Sequence, residues 1–91
     1  MRFRKKPLLV DAIQWTGPNW NDVLMFAPGV VSGVCFGVAT EQPDHLRVHT
    51  LDGTMIATRD DWIIRGVKGE FYPCKPDVFA ATYEPSEEPH V

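Results

Sequence analysis

A short glycine-bounded turn between two apolar runs constrains this chain most. From Asp60 to Glu84 it reads DDWIIRGVKGEFYPCKPDVFAATYE. Trp62-Ile63-Ile64-Arg65 and Glu70-Phe71-Tyr72 are rich in β-branched and aromatic residues, and Gly66-Val67-Lys68-Gly69 reverses the chain between them. Pro73 removes a ladder donor and so belongs at a strand end or on an edge. Pro76 suits the first position of a helix, and Val78, Phe79, Thr82 and Tyr83 recur at a spacing that brings them onto one helical face. The stretch therefore predicts strand, tight turn, strand, short helix.

A second hairpin signal precedes it in HLRVHT-LDG-TMIAT, where Asp52-Gly53 is the pair that a type I′ turn prefers. In that register Leu51 faces Thr54 and Val48 faces Ala57. Leu46, Val48, Met55 and Ala57 share one side, and Arg47, His49, Thr54 and Thr58 share the other. Upstream, Phe3 to Trp15 reads as a first strand, apolar on both faces, which predicts a central place. Asn19 or Asn21 caps a short helix through Ala27, with Val23, Leu24, Phe26 and Ala27 on its buried side, and Pro28-Gly29 stops it. From Val30 to Ala39 the period of two sets Val30, Val34, Phe36 and Val38 against Gly33, Cys35, Gly37 and Ala39. The glycine side is nearly bare, so another backbone or a ligand can approach it closely.

Ninety-one residues allow one modest core. One domain is expected over residues 1–84, with 85–91 a frayed polar tail. Its predicted class is α+β: a small curled, mostly antiparallel sheet of five or six strands, a partial barrel, covered by one or two short helices. An open edge on so small a sheet makes a homodimer plausible. The longest apolar run, Val30 to Ala39, is about half of the ~20 residues a membrane helix needs, and MRFRKKP is followed by nothing like a signal-peptide cleavage site. The expected location is a reducing cytoplasm, with no membrane partner. A net charge of -3 and a pI near 5.5 argue against bulk attraction to nucleic acid. The charges are segregated, however: Arg2, Arg4, Lys5 and Lys6 crowd one end, and Glu84, Glu87 and Glu88 the other.

No constellation in the chain points to catalysis. His45 and His49 are four apart, but on a strand that spans about 13 Å, too far for one metal ion. Cys74, beside Lys75, sits between two prolines, where a small packed thiol is equally at home. Two cysteines outside any CxxC spacing suggest neither a disulfide framework nor a zinc site. Asp60 and Asp61 are adjacent acids in what reads as an exposed, solvated turn. Gly29, Gly33 and Gly37 make no phosphate-binding fingerprint. The aromatics interleaved with Arg65, Lys68 and Lys75 could form a single-strand nucleic-acid surface, but a core this small needs them. The expectation is a protein without enzyme activity, metal or cofactor.

The run from Asp61 to Asp77, DWIIRGVKGEFYPCKPD, followed by Phe79 and Thr82-Tyr83-Glu84, resembles the C-terminal signature of small bacteriophage and prophage proteins of the PGDYG type. The opening Arg4-Lys5-Lys6-Pro7 running to Gln14-Trp15 is similar to how such proteins begin. One departure is visible: Arg59-Asp60 stands where the family name implies Pro-Gly ahead of Asp-aromatic. The resemblance implies a phage or prophage origin and carries no catalytic residues. The expected function is that of a phage accessory protein binding a host or phage macromolecule, with Arg65, Lys68 and Tyr72 as contacts. The alternatives are a binder of a nucleotide-like small molecule on the glycine face, and a minor structural component of the virion.

Overall fold

Ile63 and Ile64 are sequence neighbours and both fully buried, which a strand achieves only when each of its faces is covered. Strand β5 (Trp62–Arg65) therefore has the centre of its sheet. The structure is a computed structural model that describes residues 1–3, 8–34, 43 and 45–86. The basic run 4–6, the strand half 35–39 and the tail from 87 onward lie outside the described residues. β5 is flanked by β1 (Asp11–Gln14) and β6 (Phe71–Cys74), both antiparallel to it. A second sheet is formed by β2 (Val31–Val34), β3 (His45–Thr50) and β4 (Gly53–Ala57), in that order and again antiparallel. Helices α1 (Trp20–Phe26) and α2 (Pro76–Thr82) complete the described elements.

The α+β class holds, and among the described residues the six strands form two three-stranded sheets that are not closed, where the sequence predicts one curled sheet or partial barrel. One passage between the two sheets falls at Thr58–Asp61, where Asp60 takes a positive φ of 74° and turns the chain from β4 into β5. Trp15 holds that corner. Its N–H donates to the Asp61 carbonyl at 2.9 Å, and its carbonyl accepts the Asp60 N–H at 2.6 Å.

Between the sheets lies the core. Trp15, Val23, Ala27, Leu46, Val48, Ala57 and Ile63 are fully buried there, Val31 nearly so, with Ile13, Trp20, Leu24, Phe26, Val30 and Phe71 packed around them. β6 lies against β3 and β4 across this core. On the other face of the first sheet, Trp62, Ile64 and Tyr72 lie toward α2, whose Phe79 stacks on Trp62. The order is thus second sheet, core, first sheet, α2, with α1 packed against both β1 and β2.

Four expectations change in detail. The first strand is short and lies on an edge, because the apolar residues ahead of it, Leu8 and Leu9, remain exposed. The β3–β4 hairpin pairs Thr50 with Gly53 and Val48 with Met55, two residues away from the predicted register. Its turn is closed by side-chain bonds, the Thr50 hydroxyl donating to the Gly53 carbonyl at 2.7 Å and accepting from the Asp52 N–H at 3.2 Å. A slip of two keeps every side chain on its face, so Leu46, Val48, Met55 and Ala57 still share a side. Asn19 precedes α1 as expected, but its side chain caps no helical N–H; it accepts from the Thr16 N–H at 2.9 Å and donates to the Gln14 carbonyl at 2.7 Å. On α2, Phe79 and Tyr83 turn inward, while Val78 and Thr82 are exposed.

The glycine side of β2 can be followed only at Gly33. A Cβ there would come within 2.9 Å of the Pro43 Cβ and 3.2 Å of a Trp20 ring carbon, so a side chain at this position would crowd its neighbours, although Gly33 itself is exposed.

Asp60 generates a test of the corner. Left-handed backbone costs an L-residue roughly 1–2 kcal/mol, less for Asp, and most for β-branched side chains. Asp60→Gly should hold or raise the melting temperature, whereas Asp60→Val should lower stability by about 1–2 kcal/mol in chemical denaturation. Equal stability of the two variants would contradict a positive φ at this residue.

Candidate functional site

The exposed acid pair expected at Asp60-Asp61 is split by the fold. Asp60 is exposed, and Asp61 is only 2% exposed. Burying a carboxylate is costly unless it is hydrogen-bonded and paired, and Asp61 is both. Its Oδ2 accepts from the Thr58 N–H at 2.9 Å, the Thr58 hydroxyl at 3.3 Å and Lys75 Nζ at 2.9 Å. Lys75 Nζ also donates to Thr58 Oγ1 at 3.1 Å. This network ties the β4–β5 turn to the residue that opens α2, and its groups are occupied with one another. The signal for it was the Thr58-to-Asp61 spacing, an acid three residues after a threonine, which is how short side chains close turns on the backbone.

Beyond this corner an aromatic ladder fixes α2. The Trp62 and Phe79 rings stack at 4.0 Å and 5°, and Phe79 meets Tyr83 at 5.0 Å. The Tyr72 and Tyr83 hydroxyls lie 3.3 Å apart. Burial, then the Tyr83 hydrogen bond and the nearby Tyr83, Glu70 and Cys74 charges, push the Tyr72 phenol up to about 12 from 10.0. The helix stands off from Leu8–Ala12 and leaves a groove of about 680 Å³. Leu8, Leu9 and Val10 form one wall, and Trp62, Phe79, Ala80 and Tyr83 the other, with Glu84, Pro85 and Ser86 at the end.

The three contact residues expected from the sequence do not share one surface. Arg65 and Lys68 are exposed at the β5–β6 turn. Tyr72 pairs with Ile64, one position from Arg65, so alternation turns it to the opposite face, toward α2. The turn is not uniformly basic either, since the Lys68 N–H donates to the Glu70 carboxylate at 3.0 Å. Residues lining the groove were overlooked because Leu8, Leu9 and Val10 read as strand interior and Ala80 as an ordinary helix residue.

The remaining chemical candidates fall in separate places. His49 lies on β3 with its Nδ1 3.2 Å from the Thr54 hydroxyl. Among the described residues no three His, Cys, Asp or Glu side chains converge as a metal site would require. Cys74 is half-buried, and burial followed by the Asp61 and Asp77 carboxylates pushes its thiol up, away from what a nucleophilic thiol needs. No helix among the described residues is long and apolar enough to cross a membrane.

The two ends of the Asp61 pair should differ in mutation. Asp61→Ala leaves the Thr58 N–H without its acceptor and should cost about 2–3 kcal/mol. Lys75→Met instead leaves a carboxylate that is only 3% exposed without its charge partner and should cost about 3 kcal/mol or more, whereas the only charge that Asp61→Ala leaves unpaired is an exposed lysine that water solvates; a smaller loss for Lys75→Met than for Asp61→Ala in urea titrations would contradict this account. Tyr72 adds a pH test. A phenol whose folded pKa lies above its unfolded value favours the fold below pH 10, and that contribution is lost as pH rises toward 12. The melting temperature of the native protein should therefore fall more steeply over this range than that of Tyr72→Phe, and a late phenolate absorbance step should vanish in the variant. Compared with protein-family models, curated proteins and solved structures, the chain matches none.

Proposed function

We propose that this is a non-enzymatic accessory protein that binds another protein, and that the bound element is an extended apolar segment lying in the groove beside β1. The observation that carries the reading is the coincidence of that groove with a sheet edge. Among the described strands β1 pairs with β5 alone, and an edge strand offers its outward N–H and C=O groups to an added strand. Main-chain bonds along β1 would hold the segment, while alternate side chains enter the space between Leu8, Leu9 and the α2 aromatics.

Charge narrows the partner. Among the described residues the charged side chains lining the groove are the acids Asp11 and Glu84; Asp11 is already engaged elsewhere, so it is Glu84 that favours a basic residue flanking the apolar part of the segment. An anionic, nucleotide-like ligand suits this lining poorly, although the volume lies within the usual range for small ligands. The resemblance of Asp61–Asp77 to small phage proteins supports a host or phage protein as the partner. The contact then shifts from Arg65 and Lys68 to the groove, with Tyr72 supporting it from behind Tyr83.

Ala80 provides the test, because it is exposed on α2 and lines the groove. Glutamate there is compatible with a helix and should obstruct the groove without disturbing the core. Partners captured from bacterial lysate would be identified by mass spectrometry, and an apolar-basic segment of the recovered protein titrated by Trp62 fluorescence. Ala80→Glu should weaken that titration at least about 10-fold, equivalent to 1.4 kcal/mol, while the Arg65→Ala/Lys68→Ala double variant leaves it unchanged. The opposite pattern would return the contact to the basic turn.

A further inference from the structure

We propose that β4 is the contact through which two copies of this chain pair, antiparallel, about a two-fold axis at Met55. This rests on the second sheet and is independent of the groove. Among the described strands β4 is an outer one, and Gly53, Thr54, Met55 and Ile56 are all exposed. Leu51, at the turn before it, is 84% exposed, Met55 48% and Ile56 49%. Natural edge strands are commonly blunted by proline, lysine or another charge. The strand Gly-Thr-Met-Ile-Ala contains none of these.

The charges stand instead just outside the strand, with opposite sign at its two ends. Asp52 precedes Gly53, and Arg59 follows Ala57 by two residues, ahead of Asp60, where a φ of 74° turns the chain off the line of the strand; all three are exposed, and Asp52 and Arg59 are the charges nearest the strand. Antiparallel pairing of β4 with its own copy sets the acidic end of each strand against the basic end of the other, twice by symmetry. A parallel arrangement would set like against like. With the axis at Met55, that residue faces its symmetry mate, Thr54 faces Ile56 of the second copy, and Gly53 faces Ala57. Asp52 then lies opposite Thr58 of the second copy and next to its Arg59. This register pairs all of β4, covers the exposed Ile56 with the second strand, and joins the two sheets into one of six strands.

Two five-residue strands, each roughly 17 Å long, make a contact at the low end of specific interfaces, below about 1,200 Å². The dimer should accordingly be weak and concentration-dependent, with a dissociation constant in the micromolar range.

Sedimentation velocity from about 1 to 500 μM should show a monomer–dimer equilibrium in the intact protein. Ile56→Lys should abolish it, with circular dichroism and melting temperature retained because the side chain is already exposed. Asp52→Arg and Arg59→Asp should each weaken dimerisation about 5-fold or more, and the two together should restore it. Met55→Cys should oxidise to a covalent dimer above the wild-type background, since directly opposed residues lie about 4.5–5.5 Å apart at Cα, within disulfide range; Thr54→Cys should not. A strict monomer up to about 1 mM, or a dimer unaffected by Ile56→Lys, would overturn the proposal.

Discussion

The corner at Asp61 is the constraint on which the rest of the structure depends. The described strands form two sheets with no ladder between them, so the sheets are joined by packing and by the chain that passes from one to the other. The chain makes that passage twice, from β1 through α1 to β2 and, more tightly, from β4 to β5 at Thr58–Asp61. The Asp61 carboxylate closes this turn on Thr58, the backbone of the turn pairs with Trp15, and Lys75 reaches the carboxylate from the start of α2. Trp15 is itself fully buried in the core, with its indole N–H satisfied by the Gly17 carbonyl at 3.2 Å. One residue thereby couples the β1 edge, the turn and the core.

From this corner the placement of the groove follows. Lys75 on Asp61 sets where α2 begins, Pro76 starts it without wasting a hydrogen-bond donor, and the Trp62–Phe79 stack sets how it lies on the sheet. None of the residues of α2 is fully buried, so the helix is held along one side by aromatics and stands away from Leu8–Val10 on the other. The groove is the space this attachment leaves. Its exposed leucines beside an edge strand are what a partner segment would cover, which gives the apolar surface of such a small domain a use other than folding.

Much of this architecture was legible in local patterns. The two hairpins, the glycine turn at residues 66–69 and the proline-started helix each rest on a few neighbouring residues whose chemistry permits little else. What escaped depends on contacts between distant parts. Asp61 reads as solvated until Thr58 and Lys75, three residues before it and fourteen after it, are seen to converge on one oxygen. The strand apolar on both faces is β5 rather than β1, because the α2 aromatics cover its second face while Leu8 and Leu9 are left open. The hairpin register moved because the Thr50 hydroxyl, not the Asp-Gly pair, closes the turn. At Gly33 the approach of Pro43 and Trp20, from elsewhere in the chain, leaves no room for a side chain.

Native-state amide hydrogen exchange measures the central claim directly, because it reads the stability of each hydrogen bond separately. If the Asp61 corner locks the two sheets together, the amides of Trp15, Thr58 and Asp60 should exchange only with global unfolding, at the same free energy as those of Ile63 and Ile64 in the first sheet and Val48 in the second. Exchange of the corner amides at the rate of an open loop, while Ile63 and Val48 stay protected, would show that packing alone holds the sheets and would contradict this account.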